Sequence, residues 1–314
     1  MRESTKGLMA MIGASSIWGL SPIYYKALAH VPPLEVLSHR TLWSFVIFAA
    51  VLAFQGRFGV LRRALSTRRG LAVIAFAGAM ISLNWFVFIL SVQIGRAVEA
   101  SLGYYIFPLV AVALGALFFA ERLGRAQWVA VSLALVAVAV LTWGLGAAPW
   151  ISLILATSFG LYGLVKKALD VGPVVSVTGE VALLLPLALI WLVGVNMFGW
   201  QGVTGRAGGF FGHDVANTVM LMFSGVITAG PLILFSYATR RLSYASVGLI
   251  QYLNPSLQFL VATLIFAEPF TRWHAIAFAL IWSALAIYSL AGWRASRAVA
   301  RRGSSSATEA GVVK

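Results

Sequence analysis

With 314 residues, 61% of them hydrophobic and only 10% charged, and with a mean hydropathy of +0.91, this chain is too apolar for a soluble domain. It has no cysteine, which excludes disulfides, thiolate metal sites and cysteine nucleophiles, and its histidines, His30, His39, His213 and His274, show no ligand spacing. The net charge of +14 lies in loops and a tail, where it sets membrane topology and does not argue for nucleic acid.

Taken in order, apolar runs fall at about 7–28, 34–55, 71–92, 98–119, 126–144, 150–169, 174–195, 216–239, 245–267 and 273–293. Each is long enough to span a bilayer as a helix. They lack the period-two alternation of a membrane barrel. The first run follows Arg2 and Lys6 but is too long for a signal peptide and has no convincing cleavage site. The fold class expected is therefore an all-α integral membrane protein of ten transmembrane helices.

The basic residues give an orientation. With a cytoplasmic amino terminus, the inner segments carry eighteen Lys and Arg, while the outer loops carry only Arg96, Arg206 and Arg272. This bias predicts both termini in the cytoplasm. The Gly-rich outer loop at about 196–215 is expected to be mobile. The basic, Ser- and Ala-rich tail at 295–314 is expected to be disordered.

The chain also repeats itself. At an offset of 141, Gly19, Leu20 and Lys26-Ala27-Leu28 match Gly160, Leu161 and Lys167-Ala168-Leu169, Pro32 matches Pro173, and His39 stands opposite Glu180. At an offset of 147, Tyr105, Pro108 and Phe119-Ala120-Glu121 match Tyr252, Pro255 and Phe266-Ala267-Glu268. Two five-helix halves, 1–145 and 146–294, would insert with opposite orientation, so Lys26 and Lys167 mark one structural corner on opposite faces. Such a 5+5 inverted repeat is a mark of secondary transporters, with the substrate held near the midplane.

At these residues the chain resembles the EamA family of the drug/metabolite transporter superfamily. The opening G…SSIWGLSPIYYKAL…VPPLEVLSHRTLWS, with SLNWFVFILSV at 82–92 and QYLNPSLQFL at 251–260, is similar to its RarD branch. The resemblance covers about residues 6–293. It implies a carrier in the bacterial inner (plasma) membrane with a central cavity for a small metabolite or drug. The RarD label carries a link to chloramphenicol sensitivity, but nothing in the sequence makes that drug a substrate.

Several residues are candidates for the cavity. Ser101, Tyr105 and Pro108 share a helix face, which Gly248, Tyr252 and Pro255 repeat, with Gln251 and Asn254 beside it. Asn84, Phe88 and Ser91 share another face, with Trp85 adjacent, and the first helix offers Trp18, Ser21 and Tyr25. Apolar walls with a few polar groups suit a small ligand, although Asn, Ser and Tyr also serve as glue between helices. Pro108 and Pro255 are candidate hinges.

Charges inside the membrane are functional hypotheses by default. His39, Arg40 and Glu180 lie roughly 8–9 Å into their helices at about 1.5 Å per residue, and are candidates for coupling or interfacial pairing. Glu35, one turn before His39, is the expected partner of His39 or Arg40. Glu121 and Glu268 read as caps or loop organisers, and Glu99 suits the start of its helix.

No Walker motif is present, so ATP drive within the chain is not expected. The reading is a secondary transporter, an exporter working by alternating access, and not an enzyme. A flippase for a lipid-linked substrate on the same fold is the alternative. No cofactor or metal is expected. The partners are the bilayer and a small molecule, with no nucleic acid, and a homodimer is the assembly to test.

Overall fold

The computed structural model describes residues 3–119, 124–146, 148–166, 169, 171–242 and 244–310, and among these there is helix and no strand. The helices are α1 (Glu3–Ala27), α2 (Pro33–Phe54), α3 (Phe58–Ser66), α4 (Arg68–Gln93), α5 (Ala97–Phe119), α6 (Arg125–Leu145), α7 (Trp150–Lys166), α8 (Pro173–Phe198), α9 (Val215–Thr239), α10 (Tyr244–Gln251), α11 (Leu253–Leu260) and α12 (Arg272–Ala310). Among the described residues, seven are long and apolar enough to cross a membrane: α2, α4, α5, α6, α8, α9 and α12 over Arg272–Ala291. Two shorter apolar helices accompany them, α7 and the stretch Leu249–Ile265. The protein is an all-helical integral membrane protein. Glu121 and Lys167, named above in the repeat, lie outside the described residues.

Helix starts follow local chemistry. Pro33 opens α2 and Pro173 opens α8, where a missing N–H costs no intrahelical bond. Thr67 and Asp214 cap α4 and α9 by accepting from the N–H of Gly70 and Asn217, at 3.0 and 2.9 Å. The short α3 has no counterpart among the apolar runs. It is amphipathic: Leu61 is buried while Phe58, Arg62 and Arg63 are exposed, as in a helix lying along a membrane surface.

The run at 245–267 is one apolar stretch but not one helix. Pro255 has no N–H for the Gln251 carbonyl. The helix turns at Tyr252, and the Ser256 hydroxyl donates to the Tyr252 carbonyl at 2.7 Å. Residues Val261–Ile265 then widen into a π-helical turn. In contrast, Pro108 sits inside the unbroken α5, so the two repeat-related prolines do different things.

The chain forms two compact units. The first comprises residues 1–114 and 149–270. In it α2 packs on α8 and α9, α1 on α9 and α11, α7 on α4, and α8 on α4. Glycines permit the close crossings. A Cβ on Gly225 of α9 would stand 2.6 Å from the Trp43 carbonyl carbon, and one on Gly19 of α1 would stand 2.6 Å from the Leu257 Cβ on α11. Gly103 of α5 meets Ser152 and Leu155 of α7, and Gly160 of α7 meets Val110 and Leu114 of α5. The outer flanks expose Leu187, Ile190, Val219 and Leu264, as a lipid-facing surface should.

The second unit comprises residues 115–148 and 271–314, with α6 packed along α12. Gly144 of α6 is where the Trp273 ring lies, and any Cβ there would collide with it. Past its apolar span, α12 continues to Ala310. The segment contains several Ala and Arg and no Pro, so helical propensity runs on past the apolar span.

Candidate functional site

The interior of the first unit is polar along one helix. On α2, Glu35, Ser38, His39, Arg40, Thr41 and Ser44 are all buried. Arg40 is the one Lys or Arg among the described residues that is buried, at 5% exposure. Its Nη1 donates to the Tyr25 hydroxyl at 2.6 Å, and its guanidinium lies 4.1 Å from the Trp85 ring centroid. The contacts continue from there. Tyr25 meets Phe88 edge-on at 5.8 Å, and Phe88 meets Tyr104 in the same manner at 5.8 Å. Tyr104 donates to Asn84 Oδ1 at 2.8 Å and packs on Phe159 at 6.1 Å, which stacks on Tyr162 at 5.9 Å. The result is an aromatic column through α1, α4, α5 and α7.

The column ends at Glu180, which is fully buried on α8. Its carboxylate accepts from Lys166 Nζ at 2.7 Å, from Ser176 Oγ at 2.7 Å and from the Tyr162 hydroxyl at 3.2 Å. A buried carboxylate with a cation and two hydroxyls is well satisfied.

At the other end stands the connection between α8 and α9. Glu35 is fully buried, and its two oxygens accept from the backbone N–H of Gly209 and Phe210, at 2.9 and 2.8 Å. This corrects the expected pairing of Glu35 with His39 or Arg40: the main-chain donors of the loop claim both oxygens. His39 instead stacks on Phe211 at 4.6 Å, and Phe211 also reaches Trp43. Arg206 donates to Gln93 Oε1 at 2.6 Å and to the Ala29 carbonyl. The loop expected to be mobile is thus tied down at three points by residues of α2, the α1–α2 turn and α4.

Of the other candidates, Tyr105 joins α5 to the broken helix through Ser256, with the two hydroxyls 2.6 Å apart. Asn254 accepts from Gln258 at 2.9 Å, and Gln251 and Tyr252 flank the break, half-buried. Asn84 is held between α4 and α7, donating to the Leu155 carbonyl and Ser158 Oγ while accepting from Tyr104. Ser21 donates to the carbonyl of Trp18 within α1, and Trp18 packs on Phe235. The structure therefore brings Tyr25, Arg40, Asn84, Trp85, Phe88 and, at the far end, Glu180 into one column, and puts Tyr105, Gln251, Tyr252, Asn254 and Pro255 around the helix break. Glu268 behaves as a cap, accepting from the N–H of Ala97 and Val98 at the start of α5, at 2.9 and 2.8 Å. Among the described residues no group of three His, Asp or Glu could hold a metal.

Comparison with known proteins gives the lineage. The profile of the EamA-like transporter family matches residues 5–143. An uncharacterized transporter from Vibrio cholerae is 39% identical over 96% of this chain and 97% of its own. Protein RarD of Streptomyces exfoliatus is 41% identical over 94% of this chain and 91% of its own, and Protein RarD of Escherichia coli is 35% identical over 91% and 95%. The chain belongs to the RarD branch of the EamA family. A solved crystal structure at 17% identity has the same fold, with a TM-score of 0.59 over 93% of this chain and 98% of the other. Membership makes this a membrane transporter by family, in agreement with its apolar helices.

Four residues of the column escape a reading of RarD-type motifs and helix faces: Tyr104, Phe159, Tyr162 and Lys166. Tyr104 was hidden by its neighbour Tyr105, which shares a face with Pro108. Tyr162 and Lys166 had a usable signal, since an i, i+4 Tyr–Lys pair at the end of an apolar helix needs a partner.

Proposed function

We propose that this member of the RarD branch is a secondary carrier that exports a small metabolite or drug across the bacterial inner membrane by alternating access, and that it catalyses no chemical reaction. The observation that carries this reading is the aromatic column of the first unit, with its buried Arg40 and with polar closures at both ends. One closure is the loop bound to Glu35. The other is the Glu180–Lys166 pair. A path that is closed at both ends by polar groups suits a substrate that is occluded between openings.

The ten-helix, 5+5 arrangement is part of the proposal, with halves 1–145 and 146–294 and both termini cytoplasmic. Helix packing supports it. Exchanging the halves maps α1 on α9 to α7 on α4, α2 on α9 to α8 on α4, and α1 on α11 to α7 on α5. The pairs α2 with α8 and α6 with α12 map onto themselves. Gly19 and Gly160, equivalent in the repeat, both sit at such crossings.

In this reading Tyr25, Trp85 and Phe88 line the path, with Tyr105, Gln251, Tyr252 and Asn254 on its other wall. Asn84 positions Tyr104, Trp18 and Ser21 shape α1, and Pro255 is the hinge, with Pro108 its unbroken counterpart. Glu180 is the coupling group, faced by Lys166 and Tyr162 from α7 and by Ser176 from its own helix. His39 and Arg40 hold the opposite end.

The test is uptake of a labelled metabolite panel into inside-out vesicles under an imposed pH gradient. Uptake is expected to collapse with the gradient, to fall at least tenfold in Tyr252→Ala, and to lose its pH dependence in Glu180→Gln. Uptake indifferent to the gradient would replace export by facilitated diffusion. No uptake of any solute by folded protein would turn the reading towards a lipid-linked substrate.

A further inference from the structure

Arg40 is a permanent cation, because a guanidinium is not deprotonated in proteins. Burying such a group without an opposing charge is costly. Yet every buried acid among the described residues is engaged elsewhere. Glu35 holds the backbone of Gly209 and Phe210, Glu180 holds Lys166, Glu99 holds Arg96, and Glu268 holds the start of α5. No carboxylate stands within ion-pair distance of Arg40 among these residues. Its charge meets only a phenol oxygen and two aromatic faces.

Other buried polar atoms of α2 are idle as well. Nine buried side-chain polar atoms in the described residues have no partner, and five of them belong to His39, Arg40, Trp43 and Ser44, on one stretch of α2. Arg40 Nε is one of these. Buried polar groups are ordinarily satisfied, so such a concentration asks for an explanation. Tyr25 accepts from Arg40, which leaves its own hydroxyl hydrogen without an acceptor among the described residues. The group around the guanidinium therefore presents hydrogen-bond donors and positive charge, beside the Trp85 ring.

We propose that Arg40, with the Tyr25 hydroxyl beside it and the Trp85 face against it, is the seat for the carboxylate of a monoanionic organic substrate. One uncompensated positive charge matches one negative charge. A guanidinium fork with a phenol O–H suits the two oxygens of a carboxylate. An ammonium group beside the carboxylate would lie against the guanidinium charge, with no carboxylate among the described residues in an ion pair with Arg40 to offset it. The walls continuing from the seat, Phe88 and Tyr104, suit an apolar or aromatic body. This inference rests on the transporter reading and narrows its substrate class.

The test is the thermal midpoint of the full-length protein in phosphatidylcholine nanodiscs at pH 7. The probes are benzoate, phenylpyruvate and butyrate, against benzamide, benzylamine and phenylalanine. The carboxylates should raise the midpoint in a dose-dependent manner, and the neutral, cationic and zwitterionic probes should not. Arg40→Met should abolish the response while leaving the unliganded midpoint equal or higher, since a buried unpaired charge is removed. Should that variant fail to fold, two milder ones decide. Tyr25→Phe should raise the half-effective benzoate concentration about tenfold, as expected for one hydrogen bond to a charged group. Arg40→Lys, which keeps the charge but loses the fork, should also weaken benzoate binding without abolishing it. The seat is overturned if no carboxylate shifts the midpoint, if chloride matches benzoate, if only nanodiscs containing phosphatidylglycerol shift it, or if Arg40→Met lowers the unliganded midpoint and keeps the response. Counterflow of the same probes in proteoliposomes is read separately. Binding through Arg40 without flux would overturn the transport reading and leave the seat, whereas flux of neutral probes without carboxylate binding would do the reverse.

Discussion

Glu35 in the first turn of α2 and Glu180 two turns into α8 are both fully buried carboxylates, yet their partners differ in kind. Glu35 accepts from two backbone N–H groups of the α8–α9 connection. Glu180 accepts from side chains only, those of Lys166, Tyr162 and Ser176. Main-chain donors move only when the loop itself moves, so Glu35 works as a clamp. Side-chain donors can leave by rotating, so Glu180 can exchange partners while its helices stay folded. In the proposed alternating-access reading, the Glu35 end is the fixed one and the Glu180 end the one that rearranges.

The comparison breaks most readily at Lys166. Lys166→Met would leave Glu180 as an uncompensated buried charge, and the expected loss is about 3 kcal/mol. The double variant Lys166→Met/Glu180→Gln should recover most of that loss. Chemical unfolding in detergent checks both, and failure of the double variant to recover would mean that Lys166 matters for packing and not for charge. The next effect is at the clamp. Glu35→Gln keeps an acceptor but loses the charge, for about 2 kcal/mol. The loss should be local, so trypsin applied from the loop side should cut at Arg206 at least tenfold faster than in wild type, with little change in the global midpoint. A uniform loss of stability would place Glu35 in the core and not in a clamp.

Much of the helical architecture was legible in the sequence, because a helix that must satisfy its own backbone in lipid writes itself as a long apolar run. The positions of α2, α4 and α8 follow this rule. Two elements did not announce themselves. The amphipathic α3 has too few apolar residues to stand out between flanking arginines. The break at Tyr252 depends on how the carbonyls freed by Pro255 find new donors, and Pro108 in the same repeat position makes no such break. Of the site, Tyr25, Arg40 and Phe88 were visible as unusual residues on helix faces. Their grouping was not, because it depends on which helices touch. Glu35 illustrates the limit: spacing along α2 pointed to His39 and Arg40, while its real partners lie about 175 residues away and are backbone atoms, which carry no side-chain signal.

The cap at Glu268 offers a third buried carboxylate, and one that resembles the clamp more than the exchangeable pair. It binds the N–H groups of Ala97 and Val98, so Glu268→Ala should cost about 1 kcal/mol by uncapping α5, and Glu268→Gln should cost less. Hydrogen exchange confined to the first turn of α5 would check it.

The smallest effect concerns how that carboxylate is aimed. The π-helical turn at Val261–Ile265 ends with Phe266, and Ala267 then takes φ +51°, the one positive φ outside glycine among the described residues. An L-residue in this region is disfavoured by about 1–2 kcal/mol, and the next residue, Glu268, is the one that accepts from the N–H groups opening α5. Glycine removes the steric term but makes the unfolded chain more flexible, which offsets about 0.5–1 kcal/mol of the gain. Ala267→Gly should therefore leave the thermal midpoint unchanged or slightly raised, with the α5 exchange pattern intact. Ala267→Val should lower both the midpoint and the protection of Val98, because a β-branched side chain is the least tolerant of positive φ. If glycine were instead to weaken the cap, the rigidity of Ala267, and not merely its φ, would be what holds Glu268 on its two N–H groups.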